Sequence, residues 1–291
     1  PGLRDFCEAH KDLFSADVFI ASDGPRIHPD KPTIFMGSRS VFNFTMRLDS
    51  HAGGHHSGNW GGLLTNPGVV MAHALASMID RNGKILVEGW RSNQIPNSVR
   101  AAIAKLDVGE GENTPDINPN WGEPDLTVAE RVFASNTFEV RAFETGNPKS
   151  PANAIPPSAV VFGHLRYVVG TDISKLMPLL RAHLDKHGFN DITITSERDM
   201  MPATRLDPDH PWAKWAIGSL SKTADDEIAV VPNLGGSLPN DVFADLLGLP
   251  TIWVPHSYGG CSQHAPNEHI LESISNSALR LMTGLWRDLG A

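Results

Sequence analysis

The rhythm of hydrophobic and polar positions changes along the chain, and the changes outline its parts. Residues 3–14 show helical spacing. Ala16-Asp17-Val18-Phe19-Ile20-Ala21-Ser22 reads as a buried strand stopped by Asp23-Gly24-Pro25. From about Ser40 apolar side chains alternate, with Phe42, Phe44, Met46 and Leu48 on one face, which predicts a strand over 41–48. Pro67 near its start and a stripe of Met71, Leu75, Met78 and Ile79 predict a helix over 67–80. Residues 137–142 alternate again, and 158–168 reads as a further strand. Ile173, Leu176, Met177, Leu180 and Leu184 predict an amphipathic helix over 173–187, closed by Gly188, before a last strand at 191–196. This β-α-β-β-α-β order is the split, ferredoxin-like arrangement.

Within it, residues 85–131 are rich in Pro, Asn and Gly, with short helices expected near 98–105 and 126–133. So long a connection is uncommon without function or local structure, and its composition reads as an irregular surface excursion. After Pro202 an α/β rhythm takes over. A helix from Pro211 leads to a strand at 227–231, the loop Asn233-Leu234-Gly235-Gly236-Ser237 and a short helix ending at Gly248. A strand at 251–255, a loop bearing His264 and a long helix from Asn267 follow, the helix striped by Ile270, Ile274, Ala278, Leu281, Met282 and Leu285. The expected organisation is therefore a discontinuous α/β domain, residues 1–37 and 199–291, interrupted by an α+β insert at 38–198. A chain of 291 residues is long enough for two cores.

Composition removes several classes. A net charge of −9 without a basic stripe argues against nucleic acid and anionic membrane surfaces as partners. Apolar runs are too short to span a bilayer. The two cysteines, Cys7 and Cys261, give no disulfide framework, so a cytoplasmic location is expected. The chain opens on Pro1-Gly2-Leu3-Arg4 with neither signal peptide nor initiator Met, which leads us to expect further sequence upstream.

Candidate chemistry collects after the strands. Asp23 stands just past a strand, where open α/β sheets bind ligands, and can serve as a carboxylate ligand or simply begin a turn. His264 also follows a strand, behind Gly259-Gly260. Together they suggest a metal, yet a catalytic zinc usually takes three protein ligands. His28-Pro29-Asp30 and His183-Leu184-Asp185 have ligand-like spacing, but no neighbouring strand aims either at Asp23. The Gly-rich cluster around His51, His55 and His56 lacks a carboxylate or Cys at ligand spacing. A histidine that polarises a substrate carbonyl suits it better.

Arg166 shares one strand face with Val160, Phe162 and His164, and calls for a carboxylate partner, internal or on a ligand. Gly235-Gly236-Ser237, between a strand and a helix, offers N–H groups to an anion but is no nucleotide P-loop. Cys261 and His264 form a C-x-x-H pair that could be a nucleophilic dyad, without a third, orienting group.

Read in order, Ser22-Asp23-Gly24, then His56-Ser57-Gly58-Asn59-Trp60-Gly61-Gly62 with Asn66-Pro67, Asn153-Ala154-Ile155-Pro156 with Arg166, Gly235-Gly236-Ser237-Leu238-Pro239 and His264-Ala265-Pro266-Asn267-Glu268 resemble the two-zinc metallopeptidases of the aminoacylase, acetylornithine deacetylase and carnosinase family. The His-Ser-Gly-x-Trp-Gly-Gly stretch leans towards the carnosinase-like dipeptidases. The resemblance implies that the insert is a lid and dimerisation domain, and that zinc, or manganese, serves hydrolysis of a dipeptide or N-acyl amino acid. It implies Asp23 and His264 as ligands of different metal ions. It implies His56 as a catalytic residue reaching a scissile carbonyl from a partner subunit's lid. Arg166 would clamp the substrate carboxylate, with Asn153, Gly235, Gly236 and Ser237 lining the pocket. It also implies an upstream His-x-Asp, a bridging Asp and a Glu-Glu pair holding the general base. The α/β domain would then be incomplete and this chain alone inactive, the alternative being a non-catalytic peptide-binding or dimerisation module of the same fold.

Overall fold

The computed structural model describes residues 2–92, 94–109, 115–196 and 201–291. Two four-stranded sheets organise them. The first is antiparallel, in the order Thr193–Ser196, Ser40–Asp49, Ser158–Tyr167, Thr137–Thr145. Helices Pro67–Met78 and Ile173–Lys186 complete the β-α-β-β-α-β order read from the periodicity. Asn66 caps the first helix, accepting from the N–H groups of Gly68 and Val69 at 3.0 and 3.3 Å, and Pro67 sits where no donor is needed.

The buried face of this sheet carries Phe42, Phe44, Met46, Phe138, Val161 and Leu165, packed on Met71, Met78, Leu176 and Leu180 of the helices. Trp90 closes the core from above. Its ring meets those of Phe44 and Phe138 edge-on at 5.5 and 5.9 Å, and its indole N–H donates to the Leu176 carbonyl at 3.1 Å. Gly163 lies beneath these rings, where a Cβ would stand 2.6 Å from Phe44, so only glycine fits.

The second sheet is mixed, in the order Phe19–Ala21, Thr251–Trp253, Thr33–Phe35, Ala229–Val231. Its Thr33–Phe35 strand escapes the sequence pattern: Pro32-Thr33-Ile34-Phe35-Met36 is short, buried throughout and does not alternate. One face packs Ile34 and Ile252 against helices Pro211–Ala224 and Glu272–Leu289 through Ala216, Leu220, Leu281 and Leu285. A Cβ at Gly284 would lie 2.1 Å from the Thr223 hydroxyl, so glycine permits this close helix crossing.

The other face of that sheet corrects the reading of residues 85–131. Helices Asn97–Ile103 and Val128–Phe133 bury Val99, Ile103 and Phe133 against Phe35, Val231 and Trp253. The excursion is thus core to the second sheet although it is threaded through the insert. Its helix Val128–Phe133 is fixed by a capping box between Thr127 and Glu130. Smaller differences are local. The N-terminal helix stops at Ala9 and a single tight turn, Lys11–Phe14, follows. The last helix starts at Glu272, later than Asn267, whose φ of 65° lies outside helical space. No helix among the described residues is long and apolar enough to cross a membrane.

Candidate functional site

Strands Phe19–Ala21 and Thr251–Trp253 run parallel, with Ala21 opposite Trp253, so both chain segments leave the same end of the sheet. Asp23 is exposed there, one carboxylate oxygen accepting the Gly24 N–H at 2.6 Å. His264 is exposed on the irregular loop after the second strand, at a φ of 61°, with its N–H donating to Glu268 at 3.4 Å. Between them the structure places a residue that the sequence reading missed. His256 stands three positions past the end of its strand at Trp253, its Nδ1 hydrogen-bonds the Ser22 hydroxyl, and its Nε2 is buried without a partner. Burial first, and Arg26 next, hold this imidazole below its ordinary pKa. The signal for it was position alone, just beyond a strand end.

Among the described residues no group of three or more His, Cys, Asp or Glu side chains could hold a metal ion. One exposed carboxylate and one exposed imidazole are fewer than the three protein ligands that a catalytic zinc usually takes. The rejected patterns are accounted for separately. His28 and Asp30 stand 3.9 Å apart in a loop, and His183 turns to the Ser77 hydroxyl at 3.1 Å. The rings of His51 and His55 meet edge-on with centroids 5.0 Å apart. Cys261 is 2 % exposed, which does not suit a nucleophile that must meet substrate.

A second constellation forms where the two sheets meet. Arg166 lies on the face of its strand that the helices leave uncovered, with Val160, Phe162 and His164. Its guanidinium donates to the Ser237 hydroxyl at 3.1 Å, bringing together two residues far apart in sequence. Gly235 is joined to the same place: its carbonyl accepts from Arg39 Nε at 3.2 Å. The Gly235–Ser237 loop thus presents a carbonyl and a hydroxyl to arginines. A five-residue π-helical turn, Val242–Leu246, follows it where a short regular helix was expected.

Arg39 was also unforeseen, lying at the joint before the first alternating strand. It is buried, and its pKa is pushed down to about 10, by burial first and then by Arg166, with Glu139 opposing. Burial also lowers Arg166. His164 is lowered by burial and then by Arg166, Arg141 and Arg39, while burial raises Glu139 against the pull of Arg39. Among the described residues Arg166 has no carboxylate ion-pair partner. Here a chain of net charge −9 gathers poorly solvated positive charge, an arrangement that favours an incoming carboxylate.

His56 and Asn153 come together elsewhere. Residues His55–His56 pair with Ala154–Ile155, and the Asn153 carbonyl accepts from the N–H and hydroxyl of Ser57 at 2.9 and 3.0 Å. The exposed His56 ring accepts the Gly58 N–H at 3.1 Å. This pair sits at the Asp49 and Ser158 end of the antiparallel sheet, whereas Arg166 pairs with Val41 at the other. At about 3.3 Å per residue, the strand from Ser158 to Arg166 spans about 26 Å.

The structure thus combines an antiparallel four-stranded sheet, two helices on one face, with a mixed sheet at whose strand ends Asp23 stands. The profile of the peptidase dimerisation domain matches residues 39–192, and the chain belongs to this M20 family. It is 22 % identical over 285 residues to human Beta-Ala-His dipeptidase, covering 92 % of this chain and 55 % of that protein. It is 23 % identical over 249 residues to the cysteinylglycine-S-conjugate dipeptidase of Corynebacterium striatum, covering 82 % and 52 % respectively. The structure of an M20 family metallo-carboxypeptidase from Sulfolobus solfataricus superposes with a TM-score of 0.81 at 25 % identity, over 97 % of this chain and 66 % of that one. The chain thus spans about half the length of the curated relatives it matches.

Proposed function

We propose that this chain is part of a metal-dependent dipeptidase or N-acyl-amino-acid hydrolase, organised as a discontinuous α/β domain, 1–37 and 199–291, with a lid and dimerisation insert at 38–198. The observation that carries the reading is the Arg166–Ser237 contact at 3.1 Å, a half-buried guanidinium held ready for a carboxylate that the described residues do not supply. Arg166 clamps the terminal carboxylate of the substrate. Ser237 and the Gly235-Gly236 backbone border it, and burial of Arg39 behind them keeps the loop in place.

Asp23 and His264 are the ligands this chain contributes to a zinc or manganese pair, which when bound supplies Lewis acidity. The names of the relatives support a metal and a dipeptide. His56, with Asn153 beside it, serves the carbonyl of a substrate held by a partner subunit, because the span of the sheet keeps it from its own Arg166. A homodimer through the insert supplies that arrangement. With only part of a ligand set the chain alone is inactive.

The test is reconstitution. Zinc together with an amino-terminal segment carrying the missing donors should yield dipeptide hydrolysis, and Arg166→Gln should raise KM for peptides with a free carboxylate. Peptide binding without turnover under those conditions would favour the second reading, a binding or dimerisation module of the same fold, which the absence of a three-donor cluster among the described residues supports.

A further inference from the structure

Arg166 and Arg39 form only one wall of a cavity of about 520 Å³. That is within the ~300–1,000 Å³ range of small-molecule sites. Residues 117–132 supply another, with Ile117, Trp121, Val128 and Val132 as its apolar part beside Asn118, Glu123 and Arg131. Trp121 and Ile117 remain 47 % and 43 % exposed, large apolar surfaces turned towards solvent beside buried cationic groups.

The tryptophan is held rather than loose. Arg131 donates to the carbonyls of Trp121, Pro119 and Glu123 at 2.7, 2.8 and 2.9 Å, and the Gly122 N–H donates to the Asn82 carbonyl at 2.6 Å. Gly83, at a φ of 85°, lies so close that a Cβ would meet the indole at 2.8 Å. An aromatic ring set against a glycine, on a loop whose backbone three charge-assisted hydrogen bonds hold, yet half exposed, is pre-organised to receive an apolar group. The acids nearby do not invite a cation, because Glu123 pairs with Arg91 at 2.7 Å and Glu139 lies beside Arg39.

We infer that this cavity selects peptides whose carboxy-terminal residue has a bulky apolar or aromatic side chain, the carboxylate on Arg166 and the side chain against Trp121 and Ile117. The inference rests on the carboxylate role proposed above for Arg166 and adds the specificity of the same site. A glycine in that position leaves the Trp121 wall in water. A phenylalanine or leucine covers it.

The experiment is calorimetric titration of the 291-residue chain with Gly-Phe, Gly-Gly and glycyl-phenylalaninamide, in the wild type and in Trp121→Ala, Trp121→Phe and Arg166→Gln. Wild type should bind Gly-Phe about tenfold or more tightly than Gly-Gly. Trp121→Ala should bring that ratio to within about twofold of unity, and Trp121→Phe should restore most of it. Trp121 is half exposed, so its loss should spare the fold, and the Phe variant reports independently if it does not. A wild-type ratio near one, or a ratio indifferent to Trp121→Ala, overturns the inference. If the amide still fails to bind, the carboxylate reading survives that failure. Equal binding of acid and amide, insensitive to Arg166→Gln, overturns the carboxylate reading and the inference with it, as does binding of none of the three.

Discussion

Replacing Arg39 by Met tests how the two sheets are joined. The guanidinium donates to the Gly235 carbonyl at 3.2 Å and to the Ser135 carbonyl and Thr137 hydroxyl at 3.4 Å each. Methionine keeps most of the apolar volume, so packing changes little. Hydrogen bonds from a charged donor contribute about 1.5–3 kcal/mol each, but these are long, and about 1 kcal/mol apiece is the fitting value. Relief of repulsion from Arg166 and of the desolvation of a buried cation works the other way, and buried charges replaced by apolar groups are often neutral. What decides the sign is the carbonyls of Gly235 and Ser135, which lose this donor in a buried place. The expected net loss is about 2–3 kcal/mol. At about 2–4 °C per kcal/mol for chains of this order, the melting temperature should fall by about 5–10 °C. Urea unfolding followed by tryptophan fluorescence gives the free energy directly. A change under about 0.5 kcal/mol, or a gain, would refute the reasoning and show that desolvation of the cation outweighs its hydrogen bonds.

Gly163→Val places a branched side chain against Phe44 and Phe138 and should cost about 3 kcal/mol or prevent folding, read by urea unfolding; a change within 1 kcal/mol, about the lower limit for overpacking, would show that the rings yield. His164 and His183 both have pKa values lowered from 6.5, chiefly by burial, so the unfolded chain binds their protons first as pH falls. Their contribution to stability is complete above about pH 6.5 and is lost as the solution is acidified through their folded values, which proton NMR should place below 6.5. Elemental analysis after dialysis should find sub-stoichiometric zinc; two tightly held ions per chain would remove Asp23 and His264 as the relevant donors.

Elements with long, clean periods were legible in the sequence. Phe42, Phe44, Met46 and Leu48 alternate because only one face of their strand meets helices, and the stripe of Ile173–Lys186 reports its single buried side. Thr33–Phe35 was not legible, because a strand buried on both faces leaves no alternation. The excursion misled for another reason. Pro, Asn and Gly mark its turns correctly, but nothing local says that Val99, Ile103 and Phe133 cover a sheet built from residues far away in sequence.

The candidate site divides along the same line. Asp23, His264, Arg166 and the Gly235-Gly236-Ser237 loop stood out as residue types at strand ends, or through the family resemblance. Arg39 and Trp121 did not, since their meaning lies in neighbours 196 and 10 positions away, Gly235 and Arg131. Order along the chain also hides separation. His56, Asn153 and Arg166 belong to one run of motifs in the sequence, yet the antiparallel sheet sends the first two to one end and the third to the other. A ten-residue strand lies between them, about the span over which one small ligand cannot reach both ends. On the reading proposed here, dimerisation is therefore a condition of the chemistry. His56→Ala and Arg166→Gln subunits, each impaired alone after reconstitution at low substrate concentration, should regain activity when mixed, with one intact composite site in each mixed dimer. Failure of mixed dimers to recover activity would place His56 outside the reaction.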